Sequence, residues 1–268
     1  MARRRLDAEL VRRGLAPSRA QAREAVSAGQ VTVGGVPATK PATLVTEDAA
    51  VRVLGPVRPF VSRGGGKLAA ALDRFAIDPE GLGCLDAGAS TGGFTDCLLR
   101  RGAARVLAVD VGYGQLAWEV RSDPRVVVLE RTNVRTLRPE GLPFVPDLLV
   151  ADLSFISLAT VLPALSSMGS ASAAYVLLVK PQFEAGRSAV GKGGVVTDPA
   201  VWRRALDRVV TVAGATGLAP LGAIASPLPG PAGNVEFLLH LRRGSAGAKL
   251  DLDPDLDAAI AEGVALRS

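Results

Sequence analysis

The chain has 268 residues with a net charge of +5, 48% hydrophobic and 4% aromatic residues. That length buries a substantial core and suits one mid-sized domain plus a small one. No uncharged apolar run of about 18 residues occurs, and the start, Met-Ala-Arg-Arg-Arg, lacks the apolar core of a signal peptide, so a membrane span is not expected and a cytoplasmic location is.

The charge is unevenly placed. Residues 1–67 hold 12 Lys/Arg against 5 Asp/Glu, and the remainder 19 against 21. A basic module ahead of a near-neutral domain points to a polyanion, most often nucleic acid; a solubilising tail is the milder alternative.

In residues 1–55, Leu6, Leu10 and Val11 give a first helix its apolar face, ended at Gly14. Ser18 and Gln21 have capping-box spacing for a second helix, which stops at Gly29. Val31–Val36 then predicts a strand entering a Gly-Gly hairpin, and Ala50–Val53 a closing strand. Arg3, Arg4, Arg5, Arg12, Arg19, Arg23 and Lys40 are the candidate RNA contacts, since arginine suits bidentate phosphate binding. With no aromatic residue in this stretch, contacts to phosphates and RNA shape are expected rather than base stacking. The runs Leu6–Leu10, Gly14–Arg19 and Ala28–Gly35 resemble the S4 RNA-binding domain.

Gly55-Pro56-Val57-Arg58-Pro59 breaks regular structure. The predicted organisation is 1–55, a linker at 56–66, and a large domain at 67–268 with a helix at Leu68–Phe75. Within the large domain, Cys84-Leu85-Asp86-Ala87-Gly88-Ala89-Ser90-Thr91-Gly92-Gly93 reads as strand, glycine turn and helix start. Glycines let a ligand approach the backbone, and a helix start offers unpaired N–H groups. Asp86 would repel a dinucleotide pyrophosphate, and the G-x-G-x-x-G spacing is absent. S-adenosyl-L-methionine, with its ammonium and sulfonium, suits the loop; a plain structural βα turn is the other reading.

Alternating strands and helices beyond residue 82 predict an α/β sheet of parallel strands: 105–110, 125–129, 147–152 and 175–180, then a helix at 199–215 and final strands at 219–225 and 234–241. Asp110, Asp152 and Lys180 end apolar strands and would meet in one crevice with the glycine loop, Asp110 placed to accept from ribose hydroxyls. Asn133, beyond the third strand, joins the candidate cofactor residues. Phe155 either packs in the core or stacks on a nucleobase. Glu236 sits in an apolar strand, which is costly without a partner. His240, the only histidine, reads as structural, and Cys84 and Cys97 as buried hydrophobes. No Cys/His spacing supports a metal.

Lys67, Asp152, Lys180 and Glu236 form a K-D-K-E set that resembles FtsJ-like ribose 2′-O-methyltransferases. With the S4-like module, the whole chain resembles the TlyA family, whose members once carried the name hemolysin. The telling runs are Cys84–Thr95, Ala108–Trp118, Val150–Ser157, Val179–Glu184 and Ser226–Pro231. The resemblance implies a Rossmann-like, S-adenosylmethionine-dependent fold and methyl transfer to the 2′-hydroxyl of cytidine in ribosomal RNA within ribosomal subunits. It also implies an influence on sensitivity to capreomycin-type antibiotics. The arginine-rich start and the tail after residue 244 look like the type acting on both subunits. The chain departs from the pattern at Arg58-Pro59-Phe60-Val61, where actinobacterial relatives tend to carry Arg-Ala-Trp.

Lys180 is expected to deprotonate the ribose hydroxyl, with Lys67 as the cation lowering its pKa, or to stabilise the alkoxide as an ammonium. Asp152 and Glu236 would hold the lysines. Arg63, Arg131, Arg135, Arg187 and Lys192 would extend the RNA surface. The reading favours a monomer. The rivals are a pore-forming hemolysin, an RNA-binding protein with an inactive methyltransferase domain, and a pseudouridine synthase, which has no use for the glycine loop.

Overall fold

A computed structural model describes residues 3–16, 18–27, 29–54, 60–186, 189–230, 232–244 and 252–267. The chain divides into two units, Met1–Pro59 and Phe60–Ser268.

In the first unit the leading arginines form a strand, β1 (Arg3–Arg5), paired antiparallel with β4 (Leu44–Thr46). Helices α1 (Leu6–Arg12) and α2 (Arg19–Ser27) follow, the second opening one residue after Ser18. The Gln21 side chain and Ala28 lie outside the described residues. Strands β2 (Val31–Val33), β3 (Val36–Pro37) and β5 (Val51–Val53) make an antiparallel sheet in the order β3-β2-β5. Gly34 and Gly35, at φ +58° and +84°, form the tight turn between β2 and β3, a conformation that favours glycine. Leu6, Leu10, Ala22, Val26, Val31 and Val45 fill the core.

Two carboxylates are fully buried in this unit. Glu9 accepts from Arg12 at 2.6 Å and Arg13 at 2.7 Å, and Asp7 accepts from Arg5, Arg19 and Arg23. Hydrogen bonds from Arg12, then Arg13, hold Glu9 down at about 2. The Arg5 guanidinium holds Asp7 well below the usual carboxylate range. A depressed carboxylate adds stability that is complete above its ordinary pKa and is lost as pH falls through the folded value. Hydrogen exchange is therefore expected to show α1 and α2 opening as pH falls from about 4.5 to about 2. Protection unchanged across that window would contradict it.

The second unit begins before residue 67. Residues 55–59 lie outside the described set. Residues 60–66, expected in the linker, instead belong to this unit, whose first helix, α3, spans Arg63–Arg74. A side chain at Gly65 would collide with the Phe60 ring, so glycine lets that ring close on the helix. Seven strands follow: β6 (Gly83–Ala87), β7 (Arg105–Val109), β8 (Val126–Leu129), β9 (Leu148–Ala151), β10 (Ala174–Val179), β11 (Leu218–Ala225) and β12 (Phe237–Arg243). Their order is β11-β12-β10-β9-β6-β7-β8. The first five run parallel, as expected. β12, for which the sequence set no direction, runs antiparallel to both β10 and β11.

The central strands are covered on both faces, which explains their unbroken apolar runs. Leu149 and Ala151 face one core with Tyr175, Trp202 and Phe237; Leu148 and Val150 face the other with Leu68, Leu72 and Leu98. Helix α4 (Gly93–Arg100) packs in the second core. Helix α6 (Leu158–Met168) and helix α8 (Pro199–Ala215) pack in the first. The chain also has short helices α5 (Trp118–Arg121) and α7 (Pro181–Glu184). The last helix, α9 (Asp253–Ala265), buries Leu256 and Ala259 beside β11, so the tail is part of the fold. Because β6 is followed by a helix on one face and β9 by a helix on the other, a crevice opens at their carboxyl ends.

Candidate active site

The crevice is a cavity of about 400 Å³ lined by Gly88, Ser90, Asp110, Asn133, Asp152 and Phe155, among others. Gly88, at φ +87°, lies against the next strand, where a Cβ would sit 2.6 Å from the Asp152 carbonyl oxygen. Ser90 adopts φ +49° despite its side chain. Its N–H donates to Asp110 Oδ2 at 2.7 Å, and Gly112 N–H donates to Oδ1 at 2.6 Å, so Asp110 is fixed at the end of β7. Asn133 is held by its own turn, its Oδ1 accepting from Arg135 N–H at 3.0 Å.

Of the predicted cofactor residues, Gly88, Ser90, Asp110, Asn133 and Asp152 line this cavity; Asp86, Ala89, Thr91, Gly92 and Gly93 do not. Gly92 and Gly93 open α4 behind it. Asp86 is fully buried at the end of β6. Its Oδ2 accepts from Thr95 Oγ1 at 2.6 Å, while Oδ1 has no partner. Burial pushes this carboxyl up to about 7, against the Thr95 hydrogen bond that lowers it.

The K-D-K-E residues resolve into two ion pairs. Lys180, following β10, places Nζ 2.7 Å from Asp152 Oδ1 and donates to Ser154 Oγ at 2.9 Å. Lys67, on α3, donates to Glu236 Oε2 at 2.5 Å, and both are buried. Glu236 Oε1 has no partner. Glu236 precedes β12 at the end where Phe237 opposes Val179, so its antiparallel run returns Glu236 to the edge where Lys180 leaves β10.

Phe155 is 91% exposed at φ +64°, which excludes the core reading, and its ring centroid lies 5.4 Å from that of Phe183. Arg63 donates to the Pro229 carbonyl at 2.5 Å. Arg131 lies over the Tyr113 ring at 4.4 Å, and Arg135 is exposed. Arg187, with the Lys192 side chain, falls outside the described residues. In the first unit Arg3, Arg4 and Lys40 are exposed, Arg5, Arg19 and Arg23 gather on Asp7, and Arg12 is shared between Glu9 and Glu47. His240 packs against Phe75, and burial holds it down at about 4, uncharged at neutral pH. Burial raises the Cys84 and Cys97 thiols to about 12, as suits inert buried cysteines.

Sequence reasoning missed Thr95, Ser154 and Glu184. Ser154 lies two residues beyond Asp152, an offset that puts both on one side of an extended chain. Glu184 is buried and accepts from Ser157 Oγ at 2.5 Å and Leu158 N–H at 2.6 Å, tying α7 to the start of α6. Its motif was visible but the partners, over 25 residues away, were not. Thr95 carries no local signal. Among the described residues no His/Cys/Asp/Glu group could hold a metal ion, and no helix is long and apolar enough to cross a membrane.

Comparison with known proteins gives two family matches: the FtsJ-like methyltransferase model over residues 60–243 and the S4 domain over residues 4–51. The 16S/23S rRNA (cytidine-2′-O)-methyltransferase TlyA of Mycobacterium tuberculosis is 57% identical, covering 98% of this chain and 100% of its own length. Hemolysin A of Brachyspira hyodysenteriae is 38% identical over 88% of this chain and 98% of its own. A solved structure from Streptococcus thermophilus, named a hemolysin, superimposes with TM-score 0.77 at 37% identity, covering 100% of this chain and 98% of that one.

Proposed function

We infer what this chain does from what it is: it belongs to the TlyA family, with an S4 domain and an FtsJ-like methyltransferase domain. It is a methyltransferase whose methyl donor is S-adenosylmethionine, and its reaction is 2′-O-methylation of cytidine in ribosomal RNA. The finer reading is that both small- and large-subunit RNA are substrates. Loss of the enzyme then changes sensitivity to capreomycin-type antibiotics.

The observation that carries the mechanism is the pair of lysine–carboxylate bridges where β9 and β10 end and β12 begins, one of them through Asp152, which lines the cavity. The donor fits the cavity. A volume of about 400 Å³ is of small-ligand size. Asp110 is placed for ribose hydroxyls, the Gly88 cradle would be filled by a Cβ, and Asp86 keeps one buried oxygen unpaired below the loop. When bound, the donor supplies an electrophilic methyl group on a sulfonium. Lys180 meets the ribose hydroxyl, takes or shields its proton, and stabilises the oxyanion as it forms. Asp152 and Ser154 fix Lys180, and Glu236 fixes Lys67. Phe155 and Phe183 offer a stacking surface to a base leaving the RNA helix. Most of the rate comes from holding the hydroxyl in line with the methyl.

Two outcomes follow. A carboxyl at about 7 is ionised only on the alkaline side, so affinity for the cationic donor should fall as pH drops from about 8 to about 6. Asp86→Asn should flatten that dependence; an unchanged slope in calorimetric titration removes Asp86 from the site. Labelled methyl should also pass from donor to unmodified small and large subunits, each tested alone. Label confined to the large subunit would limit the reaction to one RNA.

A further inference from the structure

The two buried carboxylates of the first unit hold their arginines in different ways. Arg13, bound to Glu9, also donates to the carbonyls of Ala49, Thr46 and Glu47, and its side chain is only 20% exposed. That group is used up inside the fold. Asp7 is different. Its Oδ1 accepts from Ala8 N–H at 2.9 Å and Arg5 Nε at 3.1 Å; its Oδ2 accepts from Arg5 Nη2, Arg19 Nη2 and Arg23 Nε, each at 3.2 Å. The carboxylate is completely buried, yet the three arginine side chains are 48%, 52% and 56% exposed.

Two elements thus deliver three guanidiniums to one anion: β1 gives Arg5, and the first turns of α2 give Arg19 and Arg23. One negative charge against three positive ones leaves an excess of two at a fixed place. Each guanidinium carries five N–H donors, more than the one or two that Asp7 accepts. Arg19 and Arg23, four residues apart on a helix, would repel each other without the shared carboxylate. Held as they are, they lose little freedom when an anion arrives.

We propose that Asp7 is a positioning residue for RNA binding: it sets Arg5, Arg19 and Arg23 in one array that receives backbone phosphates. This rests on the ribosomal-RNA reading of the first unit. It makes an unusual prediction of sign. By charge alone, removing an acid from a basic module strengthens binding to RNA. If Asp7 positions the arginines, removing it weakens binding.

The test is binding of the full-length chain to unmodified large ribosomal subunits over a salt series, with circular dichroism and thermal unfolding as fold controls. Asp7→Asn is expected to bind about tenfold more weakly, with a shallower dependence of log affinity on log salt. Equal or tighter binding by a folded Asp7→Asn protein overturns the inference and leaves the RNA reading intact. Should that variant unfold, the Arg19→Lys/Arg23→Lys chain, which keeps the charge but not the fork, decides: weaker binding supports the array, and unchanged binding overturns it. Failure of the wild-type chain to bind the subunits would sink the RNA reading itself.

Discussion

Replacing Lys180 by alanine is expected to slow methyl transfer by about a thousandfold, because a poor nucleophile then loses its proton acceptor or oxyanion partner. Donor binding should be unchanged, since Lys180 does not line the cavity. The Nζ it removes is the one held 2.7 Å from Asp152 and 2.9 Å from Ser154. Lys180→Arg divides the two possible roles. A guanidinium cannot lose its proton at neutral pH, so it can replace an electrostatic lysine but not a basic one. Single-turnover transfer with donor affinity measured by calorimetry reads both. An alanine variant that still turns over within a few-fold of wild type would remove Lys180 from the chemistry.

The second large effect is on stability. Lys67 and Glu236 are buried together, and Glu236 already has one oxygen without a partner. Lys67→Met leaves that carboxylate alone in the interior, at a cost of about 3–5 kcal/mol. For a unit of this size that lowers the unfolding temperature by on the order of 10 °C. Lys67→Met with Glu236→Leu removes both charges and should regain most of the lost stability without regaining activity. Calorimetric unfolding of the three proteins checks this. A single variant as stable as wild type would mean that the pair contributes nothing to the fold.

The apolar strands and the helix at 199–215 were legible because their signals are local. Asp198 caps that helix, accepting from Ala200 N–H at 2.8 Å, and Pro199 sits at its first position, where a missing N–H does no harm. Strand β1 was not legible: three arginines have no apolar period, and only backbone pairing with Leu44–Thr46 makes them a strand. The antiparallel direction of β12 is likewise a property of its neighbours. Residues 60–66 read as linker because glycines usually break helices, whereas here Gly65 admits the Phe60 ring. In the site, the four residue types were visible but their pairing was not: Lys180 meets Asp152 and Lys67 meets Glu236 only through the sheet order. Phe155 was undecided between core and surface until its exposure and left-handed backbone were known.

The most direct test is to let the chain react with unmodified ribosomal subunits and the methyl donor, digest the RNA to nucleosides, and identify the product by mass spectrometry, with Lys180→Ala alongside. The account predicts 2′-O-methylcytidine from the wild-type chain and none from the variant. A methyl group on a base, or equal product from both proteins, would contradict it.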